Sequence, residues 1–187
     1  YAQAAAYAMG RAMDDVIISA ATGQAFTGET GSGTENAQTA IAANVGSTTG
    51  LNIPKLAKAK ETFDKADVDP SIPRHIIVSP EQINNLLNVT EVTSSDFNTV
   101  KALVQGDIDT FLGFKFTVSN RLAKDGNDRT CIAFAQDGIT LGIGKDVNAR
   151  IDERADKSYA TQVYYCMSIG ATRMEQSKVI GITCTEA

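Results

Sequence analysis

Residues 146–184 read DVNARIDERADKSYATQVYYCMSIGATRMEQSKVIGITC, and the fold turns on how this stretch is read. Within it Tyr159, Thr161, Val163, Tyr165, Met167 and Ile169 fall on one side of a period-two pattern, with Ala160, Gln162, Tyr164, Cys166 and Ser168 on the other. The alternation predicts a long strand. β-Branched and aromatic residues on both its faces require cover on at least one of them. A second strand is expected at 179–183, after the polar stretch 173–178, so the chain is expected to end in the frame of a sheet.

Such a strand needs a long neighbour, and the start of the chain offers one. Ala5, Met9, Ala12, Met13, Val16, Ile17 and Ala20 recur at three- and four-residue spacing, which predicts one amphipathic helix over 1–21. Its alanines allow close approach, and its stripe of Met9, Met13, Val16 and Ile17 is expected to lie along the terminal strand. Residues 22–50 are rich in Gly, Thr, Ser and Asn and read as a flexible excursion with one short strand.

The middle alternates between helix and strand signals. Pro54 opens a surface helix with Leu56, Ala59, Phe63 and Ala66 on one face and lysines and acids opposite. RHIIV at 74–78 reads as a short buried strand, and Ser79, Pro80 and Gln82 give the capping pattern of a helix through Ile83, Leu86 and Leu87. A further helix is expected at 96–105, strands at 108–111, 114–118 and 131–135, and a glycine-interrupted element at 137–144 feeding the terminal sheet. Phe63, Ile76, Leu86, Phe97 and Phe116 are the expected core of this region, and the class is α+β without a regular βαβ repeat.

Composition narrows the function classes. A chain of 187 residues with 43% hydrophobic content can bury a sizeable core, and a net charge of −5 argues against tight non-specific binding to nucleic acid. No run approaches the length of a membrane span, and no leader pattern is visible at the first residues, so neither is expected. Cys131, Cys166 and Cys184 lie far apart inside apolar or alternating runs and read as reduced, buried thiols rather than a disulfide or metal set.

Candidate chemical motifs fail on their own requirements. Gly144-Lys145 lacks the glycine that a phosphate loop needs where Ile139 stands and the hydroxyl it needs where Asp146 stands. GETGSG at 28–33 lacks the dinucleotide-binding order and a preceding strand. His75 has no neighbouring Cys or second His and reads as structural. Asp107 with Asp109, and Asp152, Glu153 and Asp156, read as solvated charge, and Asn88-Val89-Thr90 as a chance glycosylation triplet. No catalytic, cofactor or metal site is therefore expected, and the chain is not expected to be an enzyme.

The order of elements carries a resemblance. VSPEQ at 78–82, GF at 113–114 with VSNR at 118–121, and DER at 152–154 leading to SIGATR at 168–173 resemble the major capsid proteins of tailed bacteriophages, with the Hong Kong 97 type of shell fold. The resemblance implies a spine helix against an elongated peripheral-domain sheet, with an axial domain inserted. It divides the chain into 1–50 (peripheral), 51–144 (axial) and 145–187 (peripheral), as a fragment without the N-terminal arm and extended loop that normally precede the spine helix. The implied function is that of a structural subunit of an icosahedral phage capsid, assembled in the bacterial cytoplasm. The implied partners are copies of itself in pentamers and hexamers that enclose DNA, and other virion proteins. Sequence-specific nucleic-acid binding and membrane binding are not expected. Arg173 and Glu175 share a face where the long strand gives way to polar sequence, which makes them candidate inter-subunit contacts. The other class left open is a ligand-binding or enzyme domain with 22–50 as its lid.

Overall fold

The computed structural model describes residues 2–27, 33–35, 39–41, 45, 50–88 and 110–186. Helix α1, Ala2–Thr22, opens the chain. Strands β1 (Ala25–Thr27) and β2 (Gly33–Glu35) pair with each other, and β3 (Thr39–Ile41) follows. Next come α2 (Ile53–Lys65), β4 (Arg74–Val78) and α3 (Pro80–Leu87). After them stand β5 (Thr110–Phe111), β6 (Phe114–Val118), β7 (Lys124–Asp125) and β8 (Asp128–Ala135). The chain closes with β9 (Ile139–Arg154), β10 (Ala160–Arg173) and β11 (Val179–Thr185). The expected helix at 96–105, with Phe97, and Ile108, Asp107, Asp109, Val89 and Thr90 lie outside the described residues.

Local chemistry explains these boundaries. Asn52 caps α2 by accepting from the Lys55 N–H at 2.9 Å, with Pro54 in the first turn, and the helix buries Lys55, Leu56, Ala59 and Phe63. Ser79 caps α3 by accepting from the Gln82 N–H at 3.4 Å. The reciprocal half of the capping box is missing, because Gln82 Oε1 accepts instead from the Leu51 N–H at 2.8 Å and ties the two helix starts together. Leu112 and Gly113 both take positive φ, 52° and 86°, which is the two-residue turn that joins β5 to β6.

The strands form a seven-stranded mixed sheet and two antiparallel ribbons. In the large sheet the order is β3-β11-β8-β4-β6-β5, with β7 on β8. β4 runs parallel to β6 and β3 parallel to β11, and the other pairs are antiparallel. Its core holds Phe63, Ile76, Val78, Leu86, Phe114, Ile132, Ile180 and Ile182. β9 and β10 form a separate long ribbon in which Arg154 faces Ala160 and Ile139 faces Arg173.

Several expectations change here. The last strand does not extend the sheet of β10; it pairs with β8 and β3. Alternation fixes which face a strand buries, not which strand it meets. Among the described residues of 22–50 there are three short strands rather than one, and β3 is built into the large sheet. Lys55, expected on the solvent face of α2, is fully buried.

Candidate functional site

The candidate contacts Arg173 and Glu175 part company in the structure. Arg173 is buried at the end of β10, where its Nη1 donates to the carbonyls of Ala21 at 3.1 Å and Gly23 at 3.0 Å. Helix α1 has no basic residue in its last turn, so this guanidinium supplies the positive charge and the donors that the helix C-terminus lacks. Two neighbouring carbonyls are closed locally, Ile18 by the Thr22 hydroxyl at 3.0 Å and Ser19 by the Gly23 N–H at 2.8 Å. A Cβ at Gly23 would stand 2.8 Å from the Ser19 oxygen, which is why glycine ends the helix. Arg173 is thus an internal fastener of helix to ribbon. Glu175 is exposed and accepts from the Ser177 hydroxyl at 2.7 Å and pairs with Lys178 at 3.2 Å, contacts that hold its carboxyl below the usual range.

Helix α1 packs against β10 and, less closely, β9. Along the covered part of β10, Ile169, Ala171 and Arg173 are half-buried or buried, and Ser168, Gly170 and Thr172 are exposed. Ile18 and Ala21 are the buried helix residues, while Met9, Met13, Val16 and Ile17 are only half-buried, because a two-stranded ribbon is too narrow to close over the whole stripe. Asp15 is gripped by both ends of the Arg121 guanidinium, which joins α1 to the loop after β6 and pulls the Asp15 carboxyl down.

Helix and ribbon differ in length, and the difference makes the site. Twenty-one helical residues span about 31 Å, whereas fourteen residues of β10 span about 46 Å, so about 15 Å of ribbon projects beyond the helix. Two register shifts, between Cys166 and Ser168 and between Ser168 and Ile169, bend the ribbon near that point. In the projecting arm Ile151 faces Val163 on one side, while Arg150 faces Tyr164 and Asp152 faces Gln162 on the other. Ile151 is 67% exposed and Tyr159, in the tip, 71%. An isolated two-stranded ribbon is marginal in water, and among the described residues this one leaves an apolar pair and both outer edges uncovered. The polar side forms a shallow cleft of about 370 Å³ lined by Lys145, Asn148, Arg150, Asp152, Gln162, Tyr164 and Cys166. Sequence reading placed β10 but missed the arm of β9, whose charges at Asp146, Arg150, Asp152, Glu153 and Arg154 hide the alternation of Val147, Ala149 and Ile151.

The other flagged residues take structural places. His75 is half-buried and stacked on Phe134 with ring centroids 5.5 Å apart, and Asp156 pairs with Arg154. Cys131 and Cys184 are buried and Cys166 half-buried, all three as free thiols. One strong cluster was not foreseen: Glu186 accepts from the Ser79 hydroxyl at 2.8 Å and pairs with Arg129 at 2.7 Å and Lys124 at 3.1 Å. Burial opposes its charge, but the bonds from Ser79, Lys124 and Arg129 outweigh that and hold its pKa down to about 2. The carboxylate thereby locks the end of β11 to the start of α3 and to β8.

This combination of a mixed sheet, a long helix and a projecting ribbon is the fold of tailed-phage capsid proteins of the Hong Kong 97 type. A protein of Mycobacterium phage Che8 superposes with a TM-score of 0.66 at 19% identity, over 97% of this chain and 62% of that one. The capsid of Cyanophage P-SCSP1u gives 0.66 at 14% identity, over 99% of this chain and 66% of that one. The capsid of Ralstonia phage GP4 gives 0.64 at 13%, over 97% and 64%. The chain thus spans 62–66% of the length of these solved chains. The family described as "Phage capsid protein" matches residues 1–186, and the chain belongs to that family. No curated protein sequence matches it.

Proposed function

We propose that this chain is the shell-forming part of a phage major capsid protein, a structural rather than catalytic component of the virion that associates with copies of itself in pentamers and hexamers around DNA and assembles in the bacterial cytoplasm. The observation that carries this reading is the projecting arm of β9 and β10, which presents Ile151 and Val163 side by side and exposed. Burying each of these side chains against a neighbour is worth roughly 1.5–3 kcal/mol, and a closed shell repeats that gain at every copy of the interface. In this reading α1 and the β9–β10 ribbon are the peripheral domain. The large sheet with α2 and α3 is the inserted axial domain, and it takes in β3 and β11. Glu175 is the charged edge residue that meets a neighbour.

Size-exclusion chromatography with light scattering across a wide concentration range tests the reading. Discrete pentamers, hexamers or larger particles support it, and a strict monomer throughout speaks against it.

A further inference from the structure

Between α2 and the large sheet lies a row of buried polar groups that a shell role leaves without a use. Lys55, Cys184 and Cys131 are all fully buried. The Lys55 ammonium lies 3.9 Å from the Cys184 sulfur and also donates to the carbonyls of Gly50 at 2.9 Å and Thr183 at 3.1 Å. Cys131 is on β8 and Cys184 on β11, adjacent antiparallel strands in which Ile182 faces Cys131 and Cys184 faces Arg129. The two thiols are therefore diagonal neighbours on one face of the sheet, and each perturbs the protonation of the other.

The row has a direction. The hydrogen bond from Cys131 and the Lys55 charge both favour the Cys184 thiolate, whereas the bond to Cys184 and burial keep Cys131 protonated. A thiol pushed towards its thiolate beside one held protonated is the arrangement of an attacking and a resolving cysteine.

We propose that Cys184 and Cys131 are a dithiol–disulfide pair oxidised by hydrogen peroxide, with Lys55 as the positioning cation for Cys184. The Cys184 sulfur attacks one peroxide oxygen: an S–O bond forms, the O–O bond breaks, and the departing hydroxide takes a proton from Lys55 and leaves as water. The sulfur has then lost two electrons and is a sulfenic acid. Cys131 attacks that sulfur: the S–S bond forms, the S–O bond breaks, and the hydroxyl leaves with the Cys131 proton as a second water. Two thiol equivalents and one peroxide give one disulfide and two waters. Lys55 ends as the neutral amine that burial favours. The bond ties the last strand to β8. The carboxylate lock of Glu186, two residues beyond Cys184, closes this end of the chain and sets how fast peroxide enters.

The test is to treat the whole chain with hydrogen peroxide, quench with catalase, unfold, alkylate with N-ethylmaleimide and measure intact mass. The expected product is about 2 Da lighter before alkylation and carries one alkylated thiol instead of three, with peptides containing 131 and 184 joined and released by reductant. Cys166→Ser leaves the reaction unchanged, Glu186→Gln accelerates it, and Lys55→Met moves its pH–rate profile upward. Three alkylated thiols after peroxide, oxygen adducts without mass loss, or a disulfide through Cys166 would each overturn the proposal.

Discussion

Arg173 shows what a single residue decides here. Its guanidinium answers two carbonyls at the end of a helix that carries no basic residue in its own last turn. Replacing it by Met leaves those acceptors buried without their charged donor, and hydrogen bonds to charged groups are worth about 1.5–3 kcal/mol. Urea unfolding of Arg173→Met is expected to show a loss of about 2 kcal/mol or more, and Arg173→Lys to recover only part of it, because an ammonium keeps the charge and the donors but is more strongly hydrated and sits on a differently shaped stem than the planar guanidinium. Glu186 gives a pH dependence. Its carboxyl moves from an ordinary 4.5 to about 2 on folding, so its stabilisation is complete above pH 4.5 and is lost as pH falls towards 2. The full effect is on the order of 3 kcal/mol, and Glu186→Gln is expected to flatten the stability profile across that window in thermal unfolding between pH 5 and 2.5. Neither role was legible in sequence, since an arginine where a long strand gives way to polar sequence reads as a candidate inter-subunit contact and nothing local sets Glu186 apart. Lys55 did leave a signal: with Ala59 and Phe63 it falls on the four-residue repeat that marks the buried stripe of α2.

Elements were legible where one rule governed them. Period two gave β10, three- and four-residue spacing gave α1, and the cap residues gave the starts of α2 and α3. The distal half of β9 was not, because a ribbon exposed on both faces needs no apolar face and so shows a weak pattern. That exposure separates folding from assembly. Ile151→Asp with Val163→Asp is expected to change the unfolding free energy of the isolated chain by less than about 0.5 kcal/mol, as exposed positions do, while abolishing the larger species in light scattering. Ile18→Asp should do the reverse, since it puts a charge under the helix at a site only 6% exposed. In hydrogen exchange it is expected to lower protection in both α1 and the covered half of β10. Protection of β10 left unchanged would show that helix and ribbon do not share a core.

At the scale of the molecule, the sequence carried the class and the family resemblance but not the pairing order. Nothing local in residues 179–185 says that they cross back to meet β8 and β3, because both β10 and β8 could accept an apolar strand of that length. The consequence is that the ends of the chain are divided. Helix and ribbon project, while the last strand is buried in the large sheet and pinned there by Glu186. A projecting arm with an apolar pair and two open edges is marginal in water, and the proposed shell role supplies another copy as its cover. Electron cryomicroscopy of the purified chain tests this most directly. The expected result is closed or partial shells, or free pentamers and hexamers, in which Ile151 and Val163 of each subunit are buried against a neighbour. Particles in which these two residues face solvent, or a preparation that stays monomeric at every concentration, would contradict it.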